Sequence, residues 1–161
     1  MNAYTSEEIA ARCQAEADEL EKFLTKHLPM ARAAQVKIDD YTGEQLVVSA
    51  PLAENINDKG TAFGGSLYNV CVIAAWGMTH LVAKELELAG DIVVAKGEIN
   101  YLRPLKSRLI ACAIKPEAEQ LERASLHHKT RGKSVFSVHV TVMDENQQTC
   151  VEFSGKYAVL A

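Results

Sequence analysis

The run Asn57-Asp58-Lys59-Gly60-Thr61-Ala62-Phe63-Gly64-Gly65-Ser66, with Asn69 just beyond it, gathers the residues of this chain best suited to chemistry. A helix is expected to start at Gly64. The first backbone N–H groups of a helix have no partner inside it, and with the helix dipole they favour negative charge. Such donors stabilise the oxygen of a carbonyl under attack. Glycines at 64 and 65 would let a carbonyl approach the backbone closely; they would equally serve a tight turn from loop to helix. The Gly65 N–H is the candidate oxyanion donor, with Ser66 beside it. Asn57 either orients a carbonyl or a water, or caps the loop. Asn69 lies four residues after Gly65, one turn on and on the same face. There its amide would touch a ligand or bond to an opposing strand.

Activating a water needs a base, and no carboxylate falls between Asp58 and Glu85. Asp58 and Glu98 are the candidates to substitute, Glu98 from a strand where an exposed or cross-strand-paired charge is the plainer reading. His80 lies about 20 Å down the helix from its start at 1.5 Å per residue, and reads as a core or interface histidine. His139 falls on the polar face of a strand, and His127 and His128 end a short helix. Cys13, Cys71, Cys112 and Cys150 are far apart and read as buried thiols, so neither they nor the histidines form a metal set. Two basic groups stand out: Arg103, Lys106 and Arg108, then Lys129, Arg131 and Lys133.

The elements that must position these residues follow from periodicity. Thr5 and Glu8 form a capping-box pattern, and Ile9, Cys13, Ala17, Leu20, Leu24 and Leu28 recur at helical spacing up to Pro29. Val36–Asp39 and Leu46–Val48 read as a hairpin around Asp40–Gly43. A loop over 54–63 leads into an uncharged helix at about Gly64–Leu86. Asp91–Leu105 reads as one long strand and Leu109–Ile114 as another. Glu117–His128 reads as a short helix stopped near Gly132, and Val135–Met143 and Val151–Leu160 as strands. Along Val135–Met143, Phe136, Val138, Val140 and Val142 face one way and Ser137, His139 and Thr141 the other. Short links and a strand excess predict an α+β domain with an antiparallel sheet curved around the apolar helix.

The 161 residues fit one domain. A net charge of −4 argues against wholesale nucleic-acid binding. The stretch 60–83 lacks charge but is broken by Gly64-Gly65-Ser66, Asn69, Gly77, Thr79 and His80, so a buried helix is expected rather than a membrane span. The N-terminal residues lack a basic segment followed by an apolar one, which makes a cytoplasmic location the expectation.

Asn57 to Leu67 resembles the loop-to-helix signature of hotdog-fold thioesterases, in which Asn, two residues, Gly and two residues precede His-Gly-Gly. Tyr101-Leu102-Arg103-Pro104 is similar to a strand end of the same superfamily. The nearest resemblance is to the thioesterase-like domain that some bacteria carry fused behind an N-acetyltransferase domain; the hotdog pattern covers about residues 30–160, with 1–29 as a helical extension, and leaves no room for the acetyltransferase. The resemblance implies a homodimer paired along the long strand, with a further dimer of dimers open. It implies an acyl-thioester substrate on coenzyme A or acyl carrier protein, with the carrier as part of the substrate and no separate cofactor. Catalysis would fall to Asn57, Asp58, Gly65, Ser66 and Asn69, and substrate binding to Phe63, Gly64 and Arg103; Arg131 is a further binding candidate by its charge alone, with a solvated loop the plainer reading of its group. Two departures stand out: Phe63 replaces the His of His-Gly-Gly, and Val72 stands where many relatives carry an acid. Hydrolysis is therefore expected first and malonyl-thioester decarboxylation, which needs no base, second. A non-catalytic acyl-carrier-binding module is the reading from another class.

Overall fold

The computed structural model describes residues 5–161. The chain opens with α1 (Ser6–His27), whose capping box is formed reciprocally by Thr5 and Glu8. Its apolar stripe buries Cys13, Ala17, Leu20 and Leu24 against a first strand, β1 (Lys37–Tyr41). Leu20 also reaches the central helix at Gly77. Pro29 both stops α1 and opens a second, unexpected helix, α2 (Pro29–Ala33). Proline suits a first helical position, since that N–H has no partner in any case.

β1 pairs with β2 (Gln45–Ala50) as the expected hairpin. A loop then leads to α3 (Gly64–Glu85), followed by β3 (Asp91–Tyr101), β4 (Leu109–Ile114), α4 (Ala118–Arg131), β5 (Lys133–Met143) and β6 (Thr149–Leu160). The strands form one antiparallel sheet in the order β1-β2-β4-β5-β6-β3. The sheet curves around α3, the hotdog arrangement. Phe136, Val138, Val140 and Val142 of β5 all point into the core, as their alternation requires. Val70, Met78 and Val82 of α3 are fully enclosed, each worth about 1.5–3 kcal/mol by burial. The long apolar helix is thus the core of the fold.

Two element ends and the burial of one thiol differ most from the sequence reading. β3 ends at Tyr101, not Leu105. The amides of Leu102 and Arg103 both turn to the carbonyl of Cys150, and Pro104 has no N–H with which to resume the ladder. α4 runs on to Arg131 and stops at Gly132 in the left-handed conformation. Cys112 is half-buried on the outer sheet face, whereas the other three thiols are enclosed.

α4 has a clear task. β4 pairs with β5 only over 139–142, which leaves the first half of β5 without a neighbour on that side. α4 covers this edge: Ser134 Oγ donates to the Ala124 carbonyl at 3.0 Å, and the Ser137 amide donates to Gln120 Oε1. β3, at the other end of the sheet, has no such cover among the described residues.

Candidate active site

The loop before α3 is held by backbone and by one buried side chain. Asn55 is enclosed and donates from Nδ2 to the carbonyls of Ala34 and Pro51 at 2.9 and 2.8 Å. Its own carbonyl accepts from the Phe63 amide at 2.7 Å, and the Ala62 amide donates to Leu105 at 2.7 Å. These bonds fix where the helix begins. They also bring the segment after β3, with Arg103, beside the loop.

Asn57 turns inward on its own loop. Its Oδ1 accepts from the amides of Lys59 and Thr61 at 2.8 and 3.1 Å, and its Nδ2 donates to Thr61 Oγ1 at 2.9 Å. This is the loop-capping alternative; one N–H of the amide is left over. Asp58 sits at the exposed tip, ion-paired with Lys59 at 2.9 Å.

Helix α3 then begins without a side-chain cap. Phe63 occupies the N-cap, and the Leu67 amide is the one that returns to its carbonyl. The amides of Gly64, Gly65 and Ser66 precede the first intrahelical bond and remain as donors. Two aromatic rings flank them. Phe63, 56% exposed, lies so close that a Cβ on Gly65 would stand 2.5 Å from its ring. Tyr101 packs its ring on Gly64 and donates from its hydroxyl to the Gly64 carbonyl at 2.8 Å. A Cβ at Gly64 would make ordinary contact with Tyr101, whereas one at Gly65 would displace the Phe63 ring.

Asn69 follows one turn on. Its Nδ2 is buried and has no hydrogen-bond partner among the described residues. A buried unpaired donor of this kind costs about 1–3 kcal/mol.

The surroundings are neutral. Burial pushes the Cys71 thiol up to about 12. Burial also raises the Tyr101 phenol, with smaller contributions from Cys71 and Tyr68. Both stay protonated at pH 7. Glu98 lies across the sheet from these groups. It lines a groove of about 330 Å³ on the outer face with Asn100, His139, Thr141, Glu152 and Ser154, and it pairs with Lys96 at 2.8 Å. That hydrogen bond and charge hold its carboxyl below the usual range.

The structure therefore gathers Phe63, Gly64, Gly65, Ser66 and Asn69 at one helix end, with Asn57, Asp58 and Arg103 around it. Arg103 donates to the Thr149 carbonyl at 2.7 Å. Arg131 ends α4, next to the start of β5, which pairs with Leu160. Tyr101 pairs with Val151 at the opposite end of β6, so the fold of the chain keeps Arg131 away from this site. His80 stacks with Trp76 and Phe23, at ring-centroid distances of 5.3 and 6.0 Å. No cluster of metal-ligating side chains occurs among the described residues.

Two residues escaped the sequence reading. Tyr101 was visible in the Tyr-Leu-Arg-Pro string, yet its bond to Gly64 was not. Tyr68 packs against Gly97 of β3; a lone glycine inside a strand is the signal that some group approaches closely there.

Residues 17–161 match the family model described as "Putative thioesterase (yiiD_Cterm)". Among solved structures, the chain is similar to the protein OLEI01261 of Chlorobaculum tepidum TLS, whose function is unknown. The two are 35% identical, the match covers 92% of this chain and 96% of that one, and the TM-score is 0.88. The "putative thioesterase from Shewanella oneidensis" is 29% identical over 92% of this chain and 99% of that one, with a TM-score of 0.80. The E. coli PaaI protein, from the phenylacetic acid degradation operon, shares the fold at 18% identity, with coverages of 92% and 96% and a TM-score of 0.64.

Proposed function

Because the chain belongs to this YiiD_C thioesterase family, we propose that it hydrolyses an acyl thioester bound at the N-terminus of α3. The observation that carries the reading is the uncapped start of that helix, where free amides stand beside two glycines and between the rings of Phe63 and Tyr101. The thioester carbonyl accepts from the Gly65 and Ser66 amides, which stabilise its oxygen as charge develops. The unpartnered Nδ2 of Asn69 supplies a further donor one turn on. The carrier, coenzyme A or the phosphopantetheine of acyl carrier protein, extends past Phe63 to solvent, where Arg103 offers a partner for phosphate. Asp58 is the carboxylate available to activate water once it leaves Lys59.

A second reading rests on where the carboxylates stand. Asp58 is exposed and ion-paired, and Glu98 is on the outer sheet face. A reaction that needs no base suits this neutral site. Decarboxylation of a malonyl thioester is one: the C–C bond breaks, CO2 leaves, and the electron pair passes to an enolate whose oxygen the same amides hold. A proton from solvent then gives the acetyl thioester.

We also propose a homodimer formed along β3, whose bare edge can accept a second copy. Arg131 would reach the site only from the partner subunit.

One experiment separates the chemistries. The protein is incubated with acetyl, malonyl and longer acyl thioesters on both carriers, and free thiol and acyl products are followed together. Thiol release supports hydrolysis. Acetyl thioester formed without thiol release supports decarboxylation. Neither product across the panel removes both readings and leaves a binding module.

A further inference from the structure

Along one face of α3, the row Gly64, Tyr68, Val72, Trp76 repeats at four-residue spacing, so these residues stack one above another. Three of them touch the inner face of β3. Gly64 accepts from the Tyr101 hydroxyl at 2.8 Å. Tyr68 packs on Gly97. The indole Nε1 of Trp76 donates to the Ile92 carbonyl at 3.3 Å. The seam between helix and strand is thus crossed three times, first at the helix start, then one turn in, then three turns in.

The first crossing can open, because Tyr101 is exposed and meets Gly64 at ordinary contact distance; the second is the tight one. The place where a Cβ would sit on Gly97 is already taken by the Tyr68 hydroxyl. Phe153 holds the ring in an edge-on contact, with centroids 5.5 Å apart and planes at 87°. The Tyr68 hydroxyl forms no hydrogen bond to another described residue, so its position comes from packing. No methylene chain passes between α3 and β3 at that level. Between the first two crossings lies one helical turn, about 6 Å at 1.5 Å per residue. Ile99 stands there on the same strand face as Gly97 and Tyr101. No residue of the row or of this strand face carries a charge. The seam therefore suits the acyl end of a thioester, while the polar carrier remains outside.

We propose that Tyr68 sets the acyl-chain length, closing the seam one turn beyond the helix start and restricting the substrate to acyl groups of about four carbons or fewer. This rests on the acyl-thioester reading above. Trp76 is the next stop, two turns farther on.

The test is a chain-length profile of kcat/KM, from two to twelve acyl carbons, for the wild-type protein, Tyr68→Ala, Tyr68→Leu and Tyr68→Phe. Binding of the matching non-cleavable thioether analogues is measured in parallel. The wild-type profile should fall about tenfold or more beyond four carbons, a step of the size that a few methylenes in an apolar site can set. Tyr68→Ala or Tyr68→Leu should raise turnover and binding of the six- and eight-carbon groups about tenfold, with a new limit where Trp76 stands. Tyr68→Phe should keep the wild-type limit, because the ring remains. The leucine variant serves if alanine unfolds the protein. A wild-type protein that processes eight carbons as well as two overturns the proposal, as does a limit that stays put in the folded alanine or leucine variants. Absence of turnover and binding at every length overturns the acyl-thioester reading itself, and the gate with it.

Discussion

Replacing Gly65 by alanine should separate the site from the fold. The added Cβ would lie 2.5, 3.0 and 3.2 Å from the Cε1, Cζ and Cδ1 atoms of Phe63. The ring must swing aside, and it can, because it is more than half exposed. Holding it off its preferred rotamer costs about 0.5–1.5 kcal/mol. Against this, alanine is favoured over glycine in a helix by about 0.5–1 kcal/mol. The net change in stability is about 1 kcal/mol or less, or about 2–4 °C in Tm for a chain of this size. Turnover should respond quite differently. The methyl group and the displaced ring fill the space by which a carbonyl reaches the Gly65 amide. Losing one such donor costs about 2.7–4 kcal/mol, or about 10²–10³ in kcat. The assay pairs a thermal melt with kcat/KM on the best wild-type substrate. A folded Gly65→Ala protein with kcat/KM within about threefold of wild type would refute the assignment of that amide to the reacting carbonyl.

Gly77→Ala should do the opposite, lowering stability at a distance from the site. Its Cβ would meet Leu46 Cδ2 at 2.9 Å and Leu20 Cδ2 at 3.1 Å, both enclosed, and overpacking of this kind costs about 1–3 kcal/mol; the urea midpoint reads it. His80 has its pKa lowered by burial, with Lys84 adding to the effect and Glu19 opposing it. Its contribution is therefore complete above its ordinary value of 6.5 and is lost as pH falls through the depressed folded value. Urea midpoints should drop below pH 6.5, and His80→Phe, which keeps a ring against Trp76 and Phe23, should flatten that part of the slope. Cys71 gives the mirror case. Burial raises its thiol from 9.0 to about 12, so the stability it confers is present below pH 9 and lost as pH rises toward 12. Between pH 9 and 10.5, Cys71→Ala should lose stability less steeply than wild type; an equal slope would remove Cys71 as the cause.

Much of the architecture could be read from local patterns. Thr5 and Glu8 announced α1, Gly64 announced α3, and the alternation from Phe136 to Val142 announced both the strand and its buried face. What failed was decided by contacts remote in sequence. Leu102 and Leu105 suit a continuation of β3, but the Leu102 and Arg103 amides are taken by Cys150 and the Leu105 carbonyl by Ala62. Pro29 signals a stop, and only the packing of Ala31 into the core made it a start as well. At the site the glycines and Asn69 were legible as types at a helix end. The roles of Tyr101 and Tyr68 were not, since each depends on a partner in another element, Gly64 for Tyr101 and Gly97 for Tyr68. Asn55, which anchors the loop, looked like any other polar residue until its two buried carbonyl partners appeared.

The two long helices begin in opposite ways, and the contrast bears on how this protein responds to selection. α1 satisfies its first amides with Thr5 and Glu8, whereas α3 starts at Phe63 with nothing to satisfy them. A serine or aspartate at position 63 would add about 1 kcal/mol by capping. Its oxygen would occupy the donors that the proposed substrate needs. Selection for heat tolerance alone should therefore favour polar residues at position 63, and the hardier variants it yields should be the ones that no longer bind an acyl group.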